Sequence, residues 1–473
     1  MAGQQMLLCS FLKKEAAAVS MVQLSTFTRV PSIPRDQSYR DFPVTVRVTA
    51  APPDFVQGER TLVDVVAAID LRWSMGFDDK YGHQPNDRLV RVKEAMAKVI
   101  DNLGVDAQNR LAVVGFNQEV ATSTELLEMT AQGQQSAIET VNALKVLGRP
   151  STFSVGLNEA KKILDGRSLA EKRRSLGFII FVSNGDDVTF LEKDIPTAYP
   201  IHAFGLTAQH SPSKLKAMAN QTLGSYTPIE NDDLETKLAE KLDQLSVRLT
   251  SVVAVDTTID LTTLHHGVVV SKLESSWAYN DALVFYKSEI GGGKTSGKVV
   301  VGDVSAGELK EFTVYLDVPA AEGQQDGTGT DDGDSVLELL KVGGVYKQSS
   351  DMDKKKVLLG ESMVTVVRTD DGGALDLIEE RVAYWCKVKL DLSAMYDKLE
   401  TEAAGAKSGG DVTEALALRE ASVEAINRAM YHDIYNAVLL ALKLRRGGDS
   451  GNGGSSAMEN SPPTPLHPAK TPV

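Results

Sequence analysis

An alternation of strand and helix patterns, sustained from Arg60 to about Leu249, constrains this chain more than any other feature. Leu62–Ile69 is a nearly all-apolar run, as expected of a strand buried on both faces. After it, Leu89, Val92, Met96, Val99, Ile100 and Leu103 recur at helical spacing, with a start at Asn86 or Asp87 and Gly104 just past the end. Leu111–Phe116, Leu176–Val182, Ile201–Leu206 and Ser225–Ile229 read as further strands. Helices are expected around Gln134–Val146, Val155–Leu164, Lys214–Ala219 and Asp232–Leu249, with Ser211-Pro212 opening the third. Alternation of this length predicts an α/β fold with a doubly wound, mostly parallel sheet.

The flanking sequence has other periods. Phe42–Val48 alternates with period two before Pro52 and Pro53 interrupt it. From Ser251 to about Arg368 period two returns: Val253, Val255, Ile259 and Leu261 share one face, Asp256, Thr258, Asp260 and Thr262 the other. Phe312, Val314, Leu316 and Val318 repeat it, which predicts a mostly antiparallel β-sandwich. Beyond Gly372-Gly373 helical spacing resumes to Arg446, suggesting a helical hairpin, and the Gly/Ser/Pro-rich end is expected to be disordered. The expected parts are an N-terminal extension (1–24), a β segment packing on the sandwich (25–59) and the α/β domain (60–249). A sandwich (250–370), a helical region (371–446) and a disordered tail (447–473) follow.

Composition excludes several functions. A formal net charge of −14 argues against binding nucleic acid or an anionic membrane, which needs basic surface. Two cysteines, Cys9 and Cys386, make no disulfide framework and supply too few ligands for a RING or zinc finger. Lys13 and Lys14 follow the short N-terminal apolar patch instead of preceding it, unlike a secretory signal, and no later stretch reaches the ~20 apolar residues of a span. The expected location is cytoplasmic, or nuclear. Gly291–Ser296 (GGGKTS) ends like a phosphate-binding loop but leads into a strand pattern, so a hairpin turn is expected. The acidic loop Asp326–Asp334 lacks the glutamate a calcium loop requires, and no nucleophile-elbow motif occurs. These absences lead to the expectation of a protein that is not an enzyme.

Four segments carry a family resemblance. Val63–Met75 (VDVVAAIDLRWSM) resembles the von Willebrand A signature, in which a buried strand ends in Asp-x-Ser-x-Ser. Asn109–Val120 (NRLAVVGFNQEV), Pro150–Leu157 (PSTFSVGL) and Phe181–Val188 (FVSNGDDV) are similar to its second strand, its threonine loop and its distal aspartate turn. The order and spacing agree over about 190 residues. The resemblance implies a Rossmann-like domain with a metal-ion-dependent adhesion site at the C-terminal strand ends. There hydroxyls and carboxylates hold Mg²⁺ and a partner's acidic side chain completes the shell. The downstream regions also resemble plant von Willebrand A proteins, including the wavy-growth RING-type ubiquitin ligases.

The pattern departs at two positions: Asp70 and Ser74 match, but Arg72 stands for the first serine and Asn184 for the distal aspartate. The threonine position falls on Ser151 or Thr152. A cation about 5 Å from a guanidinium meets roughly 3 kcal/mol of repulsion at an effective dielectric near 20. The leading expectation is therefore an adaptor that binds a protein partner, without cofactor, through Asp70, Arg72, Ser74, Ser151, Thr152 and Asn184. The alternatives are a Mg²⁺-dependent module using Asp70, Ser74 and Thr152, and a subunit of a ubiquitin-ligase assembly associated with a RING-bearing relative. For Arg72 two orientations stay open: a tethered cation offered to a partner carboxylate, or a side chain turned outward over the strand ends. In either case Asp70 is expected to accept hydrogen bonds from nearby backbone or from Ser74.

Overall fold

The alternating apolar runs of the chain sort into three β layers in the computed structural model. It describes residues 21–369 apart from 29–31, 53–60, 79–83, 149, 208, 230–233, 274–275, 280–281, 286, 291–293, 322–334 and 351–355. The expected helical hairpin, the tail, most of the N-terminal extension and the acidic loop lie outside the described residues.

An N-terminal segment contributes β1 (Val22–Thr28), β2 (Ser32–Pro34) and β3 (Tyr39–Ala50). The α/β region runs β4 (Leu62–Asp70), β5 (Phe77–Asp78), β6 (Gln84–Pro85), α1 (Arg88–Leu103), β7 (Arg110–Phe116), β8 (Val120–Ser123), β9 (Leu127–Glu128) and α2 (Ala131–Ala143). It continues with α3 (Phe153–Asp165), α4 (Leu169–Arg174), β10 (Ser175–Ser183), β11 (Ile201–Leu206), α5 (Pro212–Thr222), β12 (Ser225–Ile229) and α6 (Leu234–Leu249). Then come β13 (Val252–Thr263), β14 (Val269–Leu273), β15 (Ser276–Tyr279), β16 (Ala282–Phe285), β17 (Lys287–Ile290) and β18 (Ser296–Ser305). The last three strands are β19 (Leu309–Val318), β20 (Ser335–Gln348) and β21 (Val357–Thr369).

Strands β12, β11, β10, β4 and β7 lie side by side in that order, all parallel. Every residue of β4 is buried because helices cover both faces. Val63, Val65, Ala67 and Ile69 pack with α1 and α6 residues such as Val92, Met96, Leu238 and Leu242. Val66 and Ala68 pack on the other side with Phe153 and Leu157 of α3 and Leu215 and Met218 of α5. The predicted doubly wound sheet is thus present. The order reverses at β4, whose neighbours are β7 on one side and β10 on the other, so the loops leaving β4 and β10 part at the top of the sheet. Open α/β sheets bind ligands at such a place.

Local chemistry corrects some boundaries. Helix α2 begins three residues earlier than Gln134 because the Thr130 side chain accepts from Gly133 N and caps it. Helix α4 has no counterpart among the expected helices; Ser168 and Glu171 form a reciprocal capping box that starts it.

Two antiparallel sheets make the sandwich: β1-β3-β19-β14, and β17-β18-β13-β20-β21, which β2 extends in parallel with β21. Val44, Val46, Val48, Phe312 and Val314 from one sheet meet Ile259, Leu261, Val299 and Val342 from the other. One hairpin departs from the expected partition. β15 and β16 leave the sandwich and join the α/β sheet, where Ser225 pairs with Val284 and Tyr226 with Leu283. Period two identifies a strand but not its sheet. β17 and β18 pair antiparallel through Ile290 and Gly297; residues 291–293 of the expected turn lie outside the described residues.

Candidate functional site

At the C-terminal end of β4, the carboxylate of Asp70 is fully buried and surrounded by donors. Arg72 N donates to Oδ1 at 3.0 Å and Arg72 Nε to Oδ2 at 2.7 Å. Ser183 Oγ, from the last residue of β10, donates to Oδ2 at 2.6 Å, and Ser151 Oγ donates to Oδ1. The sequence thus brings together a strand end, a second strand end and the loop before α3. Asp70 accepts from backbone, as expected, but its side-chain donors are Ser151, Ser183 and Arg72 and not Ser74.

Arg72 takes neither of the two orientations considered from sequence. It turns inward, 8% exposed, onto Asp70. Its Nη1 donates to the Asp186 carbonyl at 2.8 Å, and its Cζ lies 5.5 Å from the centroid of the Phe153 ring. Gly185 makes room for this: a Cβ there would overlap the guanidinium, 2.6 Å from Cζ. Nη2 is buried without a hydrogen-bond partner among the described residues.

Ser74 and Asn184 form a second cluster. Ser74 Oγ donates to Asn184 Oδ1 at 3.0 Å, and Asn184 Nδ2 returns a bond to the Ser74 carbonyl at 2.9 Å. Asn86 Nδ2 and Arg88 Nη1 donate to the same carbonyl, at 3.1 and 2.8 Å. Thr152 sits at the N-cap of α3, half-buried, and its side chain makes no capping bond. The cap comes from another loop: Asp187 Oδ2 accepts from Phe153 N at 2.7 Å, and Oδ1 accepts from the Thr189 amide and hydroxyl. A carboxylate at a helix N-terminus is favoured by the aligned peptide dipoles. Sequence reasoning named Asp70, Arg72, Ser74, Ser151, Thr152 and Asn184 but missed Ser183, Gly185 and Asp187, which flank Asn184 in the segment FVSNGDDV. Among the described residues, no group of three or more His, Cys, Asp or Glu is placed to hold a metal ion.

The sheet order, the strand-end aspartate and the loop that brings Ser151 to it agree with one family. The sequence profile of the von Willebrand factor type A domain matches residues 64–244. Residues 64–244 are a von Willebrand factor type A domain. Such domains are protein-interaction modules as a family. The chain is similar to the E3 ubiquitin-protein ligase WAV3 of Arabidopsis thaliana, 23% identical over 358 residues, covering 70% of this chain and 40% of that protein. It is also similar to the Arabidopsis E3 ubiquitin-protein ligase WAVH1, 26% identical over 144 residues, covering 28% of this chain and 20% of that protein. The A-domain chain therefore spans no more than 40% of the length of these relatives. Among solved structures, a von Willebrand factor type A protein from Catenulispora acidiphila shares the fold. Its TM-score is 0.57 at 19% identity, over 81% of this chain and 82% of that one.

The relatives overturn one expectation. The absence of a catalytic motif led to a non-enzyme reading, whereas both relatives are named as ubiquitin-protein ligases. Catalysis by holding two reactants together needs no nucleophile on the catalyst, so a missing nucleophile motif did not bear on the question. Among the described residues of the A-domain protein, no helix is long and apolar enough to cross a membrane.

Proposed function

We propose that this A-domain protein recognises a protein partner for a ubiquitin-ligase assembly. The recognition face is the top of the A domain around Asp70, Arg72, Ser74, Ser151, Thr152 and Asn184, whose adhesion-site pattern is degenerate. One observation carries the reading: the loop following β4, the loop preceding α3 and the end of β10 converge on Asp70 at the switch point of the sheet. The names of the relatives supply the assembly. In this reading the chain works in that assembly together with a RING-bearing relative that associates with it.

A photo-crosslinker at Thr152, compared with one at Lys298 on the sandwich, tests it. Proteins trapped only from position 152 should carry ubiquitin conjugates when the chain and a RING-bearing relative are present. Ser74→Arg and Thr152→Arg should lower both capture and conjugation. Conjugation that is indifferent to these substitutions would remove the face from the function.

A further inference from the structure

We infer that Arg72 is the resident cation of the A domain's upper cleft, holding by covalent tether the place a divalent ion takes elsewhere in the family. The inference rests on the proposed function only for its biological use; its physical content needs no partner.

Three features support it. First, two carboxylate oxygens offer about four acceptor positions. At Asp70 all are used, by Arg72 N, Arg72 Nε, Ser151 and Ser183. An ion could bind there only by displacing a buried partner. Second, the other oxygen donors are spent or neutral. Ser74 and Asn184 hold each other, and Asp187 is committed to Phe153 N and Thr189. A divalent ion would gain no uncommitted carboxylate to offset the guanidinium beside it. Third, Arg72 does the joining an ion would do. It links the loop after β4 to the loop after β10 through Asp70 and the Asp186 carbonyl, and the Phe153 ring of α3 lies over its Cζ. Gly185 leaves the space this guanidinium fills. The residues present do not fit Mg²⁺, and the order of the cleft is independent of metal.

The test uses the full chain without partner. Thermal unfolding is followed in excess Mg²⁺ or Mn²⁺ and in EDTA at matched ionic strength, and Mn²⁺ binding is read by electron paramagnetic resonance. The parent should unfold at the same temperature in all three and bind no Mn²⁺ in a saturable way. The double substitution Arg72→Ser with Asn184→Asp reverses both departures. It should melt lower in EDTA and recover on the order of 5 °C with metal at about 100-fold over its Kd. Saturable Mn²⁺ binding by the parent, lost in Asp70→Asn, overturns the inference. So does a folded double variant that ignores metal. If the double variant fails to fold, the Mn²⁺ titration of the parent decides alone. None of these outcomes bears on partner capture, which is measured separately.

Discussion

Arg72 Nε lies 2.7 Å from Asp70 Oδ2, and the pair is shut off from solvent at the end of the central strand of the A domain. A buried ion pair is weak evidence for stability, because desolvation opposes the attraction. Breaking one is costly, because the survivor keeps its charge without a partner. Asp70→Ala should therefore cost about 3–5 kcal/mol in urea unfolding. Arg72→Met in the same background should return part of it, since the lone cation is then gone. A double-mutant cycle with a coupling energy near zero would mean that the two side chains do not act as a pair.

Gly185 supplies a second, independent handle on the same geometry. A methyl group there would overlap the guanidinium, which Asp70 and the Asp186 carbonyl pin in place. Gly185→Ala should destabilise the parent by about 1–3 kcal/mol, the usual range for overpacking. In an Arg72→Ala background the same change should cost almost nothing. Equal losses in both backgrounds would place the strain in the loop backbone instead.

Much of the fold was legible because burial on both faces leaves a mark in sequence. β4, β10 and β11 are apolar runs, and each proved to be an inner strand of the sheet. Of the site, Asp70 at the end of β4 was legible by pattern, whereas Ser183 at the end of β10 was not. The direction of Arg72 was not, because it is set by tertiary neighbours: the gap at Gly185 and the ring of Phe153. Nor was the cap of α3, since the local candidate Thr152 makes no capping bond and Asp187 arrives from another loop.

At the opposite end of β4, Asp64 is fully buried and accepts from Arg110 Nε at 2.7 Å, Arg110 Nη2 at 2.9 Å, Arg167 Nη1 at 2.8 Å and Ser175 Oγ. Burial alone would raise this carboxyl, but hydrogen bonds from Arg110, Ser175 and Arg167 outweigh it and hold it below its ordinary range. A carboxyl depressed in the folded state gives stability that is present above its unfolded pKa, about 3.9, and lost as pH falls through the folded value. Asp64→Asn should lower stability at pH 7 by about 3–5 kcal/mol. It should also flatten the acid limb below about pH 4. Urea midpoints at pH 7, 4 and 3 check it, and parallel curves for parent and variant would exclude the account.

His202 makes the opposite kind of buried group at the base of the A domain. Its Nδ1 lies 2.9 Å from Ser225 Oγ and 3.3 Å from an Arg248 nitrogen, and its Nε2 has no partner among the described residues. Burial, then the charges of Arg248 and Lys310, push its pKa well below the usual histidine range, so the folded protein holds it neutral. The unfolded chain takes up that proton first, near pH 6.5, so this group's contribution falls as pH drops below that value. Asp303 acts in the other direction: burial pushes its carboxyl up to about 6, so its contribution grows as pH falls from there toward about 4. The two offset each other in the parent. Removing the histidine should expose the carboxyl alone: between pH 6.5 and 5, His202→Gln should gain stability relative to the parent by up to about 1.4 kcal/mol per pH unit. Denaturant midpoints for both proteins across that window measure the difference. A difference that does not change with pH would mean that His202 is already protonated in the folded protein.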